Sequence, residues 1–203
     1  MTNLDKALAE INAIRGQMAR ATEFRGFGPL TSAATGLIAI VAATGQHFWL
    51  KLPTNHTSDW LALWIATAFV SAALIGAEMF TRSRRHHSTM AEDMMRTAIE
   101  QFLPAAAAGV LLTGVLIVFS PPSLWLLPGV WQILFSLGVF ASCKFLPKSI
   151  VLVGFWYLGC GLLCIAAAQG PRALSPWAMG VPFGIGQWLA AILLQRSLGD
   201  DRG

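Results

Sequence analysis

Six long apolar runs, kept almost free of charge, constrain this chain more than any other feature of its sequence. A helix that crosses a bilayer needs about 20 mostly apolar residues. Six stretches meet that need: Gly28 to Leu50, Asp59 to Thr81, Pro104 to Ser120, Ser123 to Cys143, Ser149 to Gln169, and Leu174 to Leu194. The third and fourth are divided only by Ser120-Pro121-Pro122-Ser123. A proline pair cannot continue a helix, so the segment reads as a tight turn between two spans. Charged residues make up 12% of the 203 residues, against about 25% in a soluble domain. Mean hydropathy is +0.60. The fold class that follows is all-α: a polytopic integral membrane protein with six transmembrane helices.

The placement of the remaining charge gives an orientation. Lys6, Arg15, Arg20, Arg25, Arg82, Arg84, Arg85, Arg96, Lys144, Lys148, Arg196 and Arg202 fall on one side of the six spans, and only Lys51 and Arg172 on the other. Lys and Arg accumulate in cytoplasmic segments, which places both termini in the cytoplasm. Trp49, Trp60, Trp125 and Trp177 then fall at the outer helix ends, where indole rings favour the headgroup layer. The net charge of +4 forms no continuous stripe, so it suits anionic lipid headgroups and not nucleic acid. The first apolar run follows a charged segment, the wrong order for a cleavable signal, and reads as its own insertion signal. Short loops and small size point to the bacterial inner membrane.

Two regions result: residues 1–27, a cytoplasmic amphipathic helix, and residues 28–203, the bundle, with a basic cytoplasmic loop at 82–103. In the first, Leu4, Leu8, Ile11, Ile14 and Met18 recur at near-helical spacing. Such a helix can lie on the inner leaflet, pack on its own protein, or bind a protein partner through residues 2–25. A second amphipathic stretch runs from Met90 to Phe102, behind the basic run Arg82-Ser83-Arg84-Arg85-His86-His87.

Short patterns recur along the chain. Thr35-Gly36-Leu37-Ile38, Thr113-Gly114-Val115-Leu116 and Cys160-Gly161-Leu162-Leu163 mark the odd-numbered spans, and Trp60, Trp125 and Trp177 open the even ones. Three related helical hairpins would produce this. Ser32/Gly36, Ala72/Gly76, Ala73/Ala77 and Gly180/Gly184 are small residues four apart, the spacing that lets membrane helices approach closely within a chain or a homo-oligomer.

Polar side chains inside hydrocarbon each need a reason. Glu78 lies toward the inner end of the second span with Arg82 four residues on, the spacing of an inner-leaflet ion pair. Gln132 and Gln187 each follow a proline, Pro128 and Pro182, by about one turn, and each adjoins a tryptophan, Trp131 and Trp188. Proline kinks a helix and frees a carbonyl. The amides either satisfy such carbonyls or line a small polar cavity, to which Tyr157 and Thr67 would contribute. Cys143, Cys160 and Cys164 show no metal-ligand spacing and read as small packing residues. With no His near mid-depth and no hydrolase, nucleotide-binding or dinucleotide-binding motif, neither a metal, a cofactor nor an enzyme is expected. Two functional readings remain: a non-enzymatic sensing, scaffolding or accessory component that works with a partner, or a passive channel or carrier for a small neutral or weakly charged solute. Ion-coupled transport is disfavoured, because no ionisable residue sits at mid-depth.

Overall fold

The computed structural model describes residues 28–49, 57–86, 89–143, 147–167, 172 and 174–200, with residues 49, 82–86, 89–95 and 198–200 described in backbone only. The amphipathic segment 2–25 and the side chains of the basic run 82–87 lie outside it. Every described element is helical: α1 (Pro29–Trp49), α2 (Thr57–His86), α3 (Thr89–Phe119), α4 (Leu127–Ser142), α5 (Val151–Ala167) and α6 (Pro176–Asp200). Five stretches are long and apolar enough to span a membrane: Thr57–Thr81, Arg96–Phe119, Pro121–Ser142, Lys148–Ala167 and Pro176–Ser197. The remaining helix, α1, has 21 residues and is diluted by Thr31, Ser32, Thr35, Thr44, Gln46 and His47. The chain is thus a multi-pass helical membrane protein.

The element ends depart from the sequence reading at three places, each with a local cause. Met90–Phe102 is no separate amphipathic element; it is the first part of α3, which continues through Pro104. That proline costs α3 one backbone bond, to the Glu100 carbonyl, without ending the helix. The fourth span opens as a 3-10 turn over Pro121–Leu126. Here Ser123 N–H donates to the Ser120 carbonyl at 2.9 Å and the two hydroxyls share a 2.8 Å hydrogen bond. The fifth opens likewise over Lys148–Ile150.

Successive helices run antiparallel, so the α1–α2, α3–α4 and α5–α6 turns share one end of the bundle (the hairpin end) and Gly28 and Ser197 share the other. The most extensive packing is α1 on α6, then α4 on α5 and α3 on α4; α2 leans on α1, and α2 and α3 barely touch. Close backbone approach explains the two tightest seams. A Cβ at Gly36 would lie 3.0 Å from the Gly184 carbonyl oxygen. A Cβ on either Gly129 or Gly161 would lie 2.7 Å from the other's carbonyl oxygen. Without a hydrophobic drive between helices, such backbone-level packing supplies the attraction. Ser32/Gly36 and Gly180/Gly184 accordingly are buried between α1 and α6. Ala72/Gly76 and Ala73/Ala77 are not contact faces within the chain: all four are exposed or only partly covered, and nothing lies within 4 Å of a Cβ placed at Gly76. The reason is that α2 is held by its opposite face.

Two apolar clusters fill the interior. At the hairpin end, Ala43, Trp60, Trp64, Leu127 and Met179 pack together, flanked by Leu116 and Trp131. Toward the terminal end lie Ile150, Val153, Tyr157, Leu193 and Leu194. Trp60 therefore departs from the headgroup role expected of it. It sits at the expected end of its helix but is 0% exposed, turned inward because its ring stacks on Trp131, centroids 5.4 Å apart. Trp177 keeps an exposed face beside His47.

Candidate functional site

Polar side chains in the bundle are held mainly by backbone carbonyls and by indoles, and they fall into separate groups. The first group lies at the hairpin end. Gln46 is 1% exposed; its Nε2 donates to the Leu174 carbonyl at 2.9 Å, and its Oε1 accepts from Trp64 Nε1 at 2.8 Å. One amide thereby ties α1 to α2 and to the turn that precedes α6. Trp131 Nε1 donates at 2.9 Å to Thr113 Oγ1, which donates onward to the Gly109 carbonyl at 2.7 Å. This joins α4 to α3.

The second group centres on Pro182, which lies inside α6. A proline has no N–H, so the Ala178 carbonyl four residues earlier loses its helical donor. Gln132 Nε2, on α4, donates to that carbonyl at 2.8 Å and lies 4.0 Å from Met179 Sδ. The carbonyl of Pro182 itself accepts from Trp156 Nε1 of α5 at 2.9 Å. The kinked segment of α6 is thus cross-braced from α4 and from α5. Pro128, by contrast, falls in the first turn of α4, where 3-10 winding gives way to α. A proline in a first turn is tolerated because its fixed φ suits the start of an α-helix.

Beyond Gln132 the interior is aromatic. Phe135 meets Phe102, Tyr157 and Phe183 at centroid separations of 5.4, 4.7 and 5.5 Å, and Tyr157 meets Phe183 at 5.0 Å. Edge-to-face contacts of this kind add attraction beyond the area they bury. Tyr157 is wholly enclosed. A Cβ at Gly186 would lie 2.6 Å from its hydroxyl oxygen, so Gly186 is what makes room for it. The hydroxyl itself has no hydrogen-bond partner.

The sequence candidates therefore divide. Gln132 meets α6 at Ala178 and the Tyr157 hydroxyl meets it at Gly186, eight positions or about 12 Å apart along a helix, with Phe135 and Phe183 packed around the Tyr157 ring. Tyr157 meets α6 at Gly186, the residue before Gln187; Gln132 belongs to the brace at Pro182, and Trp131, its neighbour in sequence, to the hairpin-end network. Thr67 bonds only the Leu63 carbonyl of its own helix at 2.8 Å. Trp188 is 49% exposed and donates to the Ala33 carbonyl at 3.2 Å. Glu78 accepts the backbone N–H of Gly28 at 3.2 Å, so its carboxylate caps the start of α1, where the helix dipole favours negative charge. The Arg82 side chain, expected to pair with it, lies outside the described residues.

Gln46, Trp64, Thr113, Trp156 and the buried Ser136 do not stand out from sequence. Gln46 carries the same signal as Gln132, an amide within an apolar run, but without a nearby proline to draw notice. No protein-family model matches the chain, and neither a curated protein nor a solved structure matches it.

Proposed function

We propose that the chain is a non-enzymatic, multi-pass component of the bacterial inner membrane that works with a protein partner as a sensing, scaffolding or accessory subunit. The observation that carries this reading is the outward face of α2 and α3. Only two of the 24 residues of Arg96–Phe119 and three of the 25 of Thr57–Thr81 are buried in the chain, against eight of the 22 of Pro176–Ser197. The outward stripe Ala72, Ala73, Gly76 and Ala77 is of the small kind that elsewhere in this bundle, at Gly36 and Gly184, seats another helix. A helix fastened along one edge and small along the other, as α2 is, suits lateral association. The interior supports a non-conducting role, since the amide nitrogens of Gln46 and Gln132 are engaged by carbonyls and its middle is packed with rings.

The basic residues on the terminal side support an orientation with both ends cytoplasmic, which would put residues 2–25 beside the same partner. A relation between the first two hairpins is supported by Trp64–Gln46 and Trp131–Thr113, indole-to-side-chain bonds that each span 18 residues. A photo-crosslinking residue placed at Ala72 or Gly76 in native membranes tests the reading. A discrete protein adduct is expected at these positions and none at Gly36. Adducts with lipid alone at both outward positions would sink it. Deleting residues 2–25 is expected to weaken the adduct while leaving membrane insertion intact.

A further inference from the structure

Among the described residues three enclosed side-chain atoms have no hydrogen-bond partner: Trp60 Nε1, Gln132 Oε1 and the Tyr157 hydroxyl. The first two are complementary, one a donor only and the other an acceptor. They also belong to one neighbourhood. Trp60 stacks on Trp131, the residue before Gln132; Trp60 packs in a cluster with Leu127 and Met179; and the Gln132 amide nitrogen lies 4.0 Å from Met179 Sδ. Both residues are 0% exposed.

The contrast with the other indoles is informative. Trp64, Trp131, Trp156 and Trp188 all donate, to a side chain or to a carbonyl. Trp60 is more enclosed than Trp64 and far more than Trp188, yet it finds no protein acceptor. Within a bilayer no bulk water relieves such a group, and each unmet donor or acceptor costs several kcal/mol. An enclosed donor and an enclosed acceptor within one cluster can be met by a single molecule that accepts from one and donates to the other. Buried waters do this in protein interiors where polar groups converge.

We infer that the bundle holds a small molecule bearing both a hydrogen-bond acceptor and a donor between α2, α4 and α6, accepting from Trp60 Nε1 and donating to Gln132 Oε1. Water has this chemistry, and so does a small alcohol or primary amide. Gln132 then has two separate tasks: its nitrogen braces the carbonyl freed by Pro182, and its oxygen holds the occupant. The site is formed by α2 and α6 with α4, so its occupancy is linked to how α2 seats on the rest of the bundle. It stands independently of the partner proposed above.

Nitrogen-15 labelling of the indoles in detergent-solubilised protein tests this. The Trp60 Nε1–H signal is assigned by its loss in Trp60→Phe, and the Trp131 signal, bonded to Thr113, reports that each variant is folded. With no solute added, the expected result is a magnetisation-transfer cross-peak from a long-lived water to Trp60 Nε1–H, lost in Gln132→Met while the Trp131 signal stays in place. Acetamide and ethanol are then titrated separately. Replacement of the water cross-peak by a solute cross-peak, with a saturable shift of Trp60 alone, assigns the site to a small organic ligand; a water cross-peak that persists assigns it to resident water. If Trp60 Nε1–H shows neither cross-peak, or if its signal is unmoved by Gln132→Met, the inference is overturned.

Discussion

The brace between Gln132 and Pro182 makes a quantitative test of how this bundle is held. Gln132→Leu removes the 2.8 Å bond from Nε2 to the Ala178 carbonyl. Interhelical hydrogen bonds in membranes average about 0.6 kcal/mol and reach about 1.7. The upper end applies here, because position 182 is proline and the helix offers the carbonyl no i+4 donor. The expected loss is about 1.5 kcal/mol, or a roughly tenfold shift in the unfolding equilibrium. Pro182→Ala changes the outcome. An alanine there would carry an N–H that bonds the Ala178 carbonyl within α6, so in that background Gln132→Leu is expected to cost less than about 0.5 kcal/mol for this bond. The cycle should therefore show a coupling of about 1 kcal/mol. Reversible detergent-titrated unfolding in bicelles, followed by tryptophan fluorescence on the four proteins, measures it. If the two substitutions add to within about 0.3 kcal/mol, the freed carbonyl is not what Gln132 serves.

Four further outcomes follow from the packing. Gly161→Val must push α4 from α5, since a Cβ there meets the Gly129 carbonyl oxygen at 2.7 Å; a loss of about 1–3 kcal/mol is expected. Gly76→Ala, with nothing within 4 Å, should leave the melting temperature of the isolated protein unchanged or raise it, by no more than about 1 kcal/mol in stability. Tyr157→Phe removes a hydroxyl with no hydrogen-bond partner and is expected to be neutral or stabilising, whereas Tyr157→Ala opens the aromatic layer and should cost about 3–5 kcal/mol in the same unfolding assay. Glu78→Leu leaves the Gly28 N–H without its acceptor and is expected to destabilise the start of α1 by about 1–2 kcal/mol, with faster amide exchange at residues 28–32 as the readout.

Much of the architecture was legible because the bilayer imposes it. Span length and the Pro121-Pro122 break follow from local chemistry, and helix positions emerge to within about six residues except at the start of α3, which lies at Thr89 and not at Pro104 because the helix runs on through the proline. What escaped the sequence depends on which way a helix faces. Ala72/Gly76 and Gly180/Gly184 are the same motif, yet only the second is packed, because spacing alone cannot say whether a partner helix is present. Trp60 sits where an interfacial tryptophan would, and only its stacking on Trp131 turns it inward. The joint reading of Gln132, Gln187 and Tyr157 as one candidate cavity rests on chemistry along the chain. The eight positions on α6 between Ala178 and Gly186 are a consequence of how α4 and α5 meet α6 at different depths. The Pro182–Gln132 link is half visible in sequence: an amide that serves a proline-freed carbonyl is expected, but the amide comes from a different helix than the proline.

Solute flux through proteoliposomes tests the central claim, a bundle whose interior is committed to holding itself together while its outward helices meet a partner. Purified protein is reconstituted at known orientation and challenged with water, glycerol, urea, ammonia and small sugars in a stopped-flow swelling assay. The expected result is permeability equal to that of protein-free liposomes for every solute, and unchanged by Gln132→Leu or Gln187→Leu. A rise for any one solute that either substitution abolishes would contradict the claim and make the bundle a conduit.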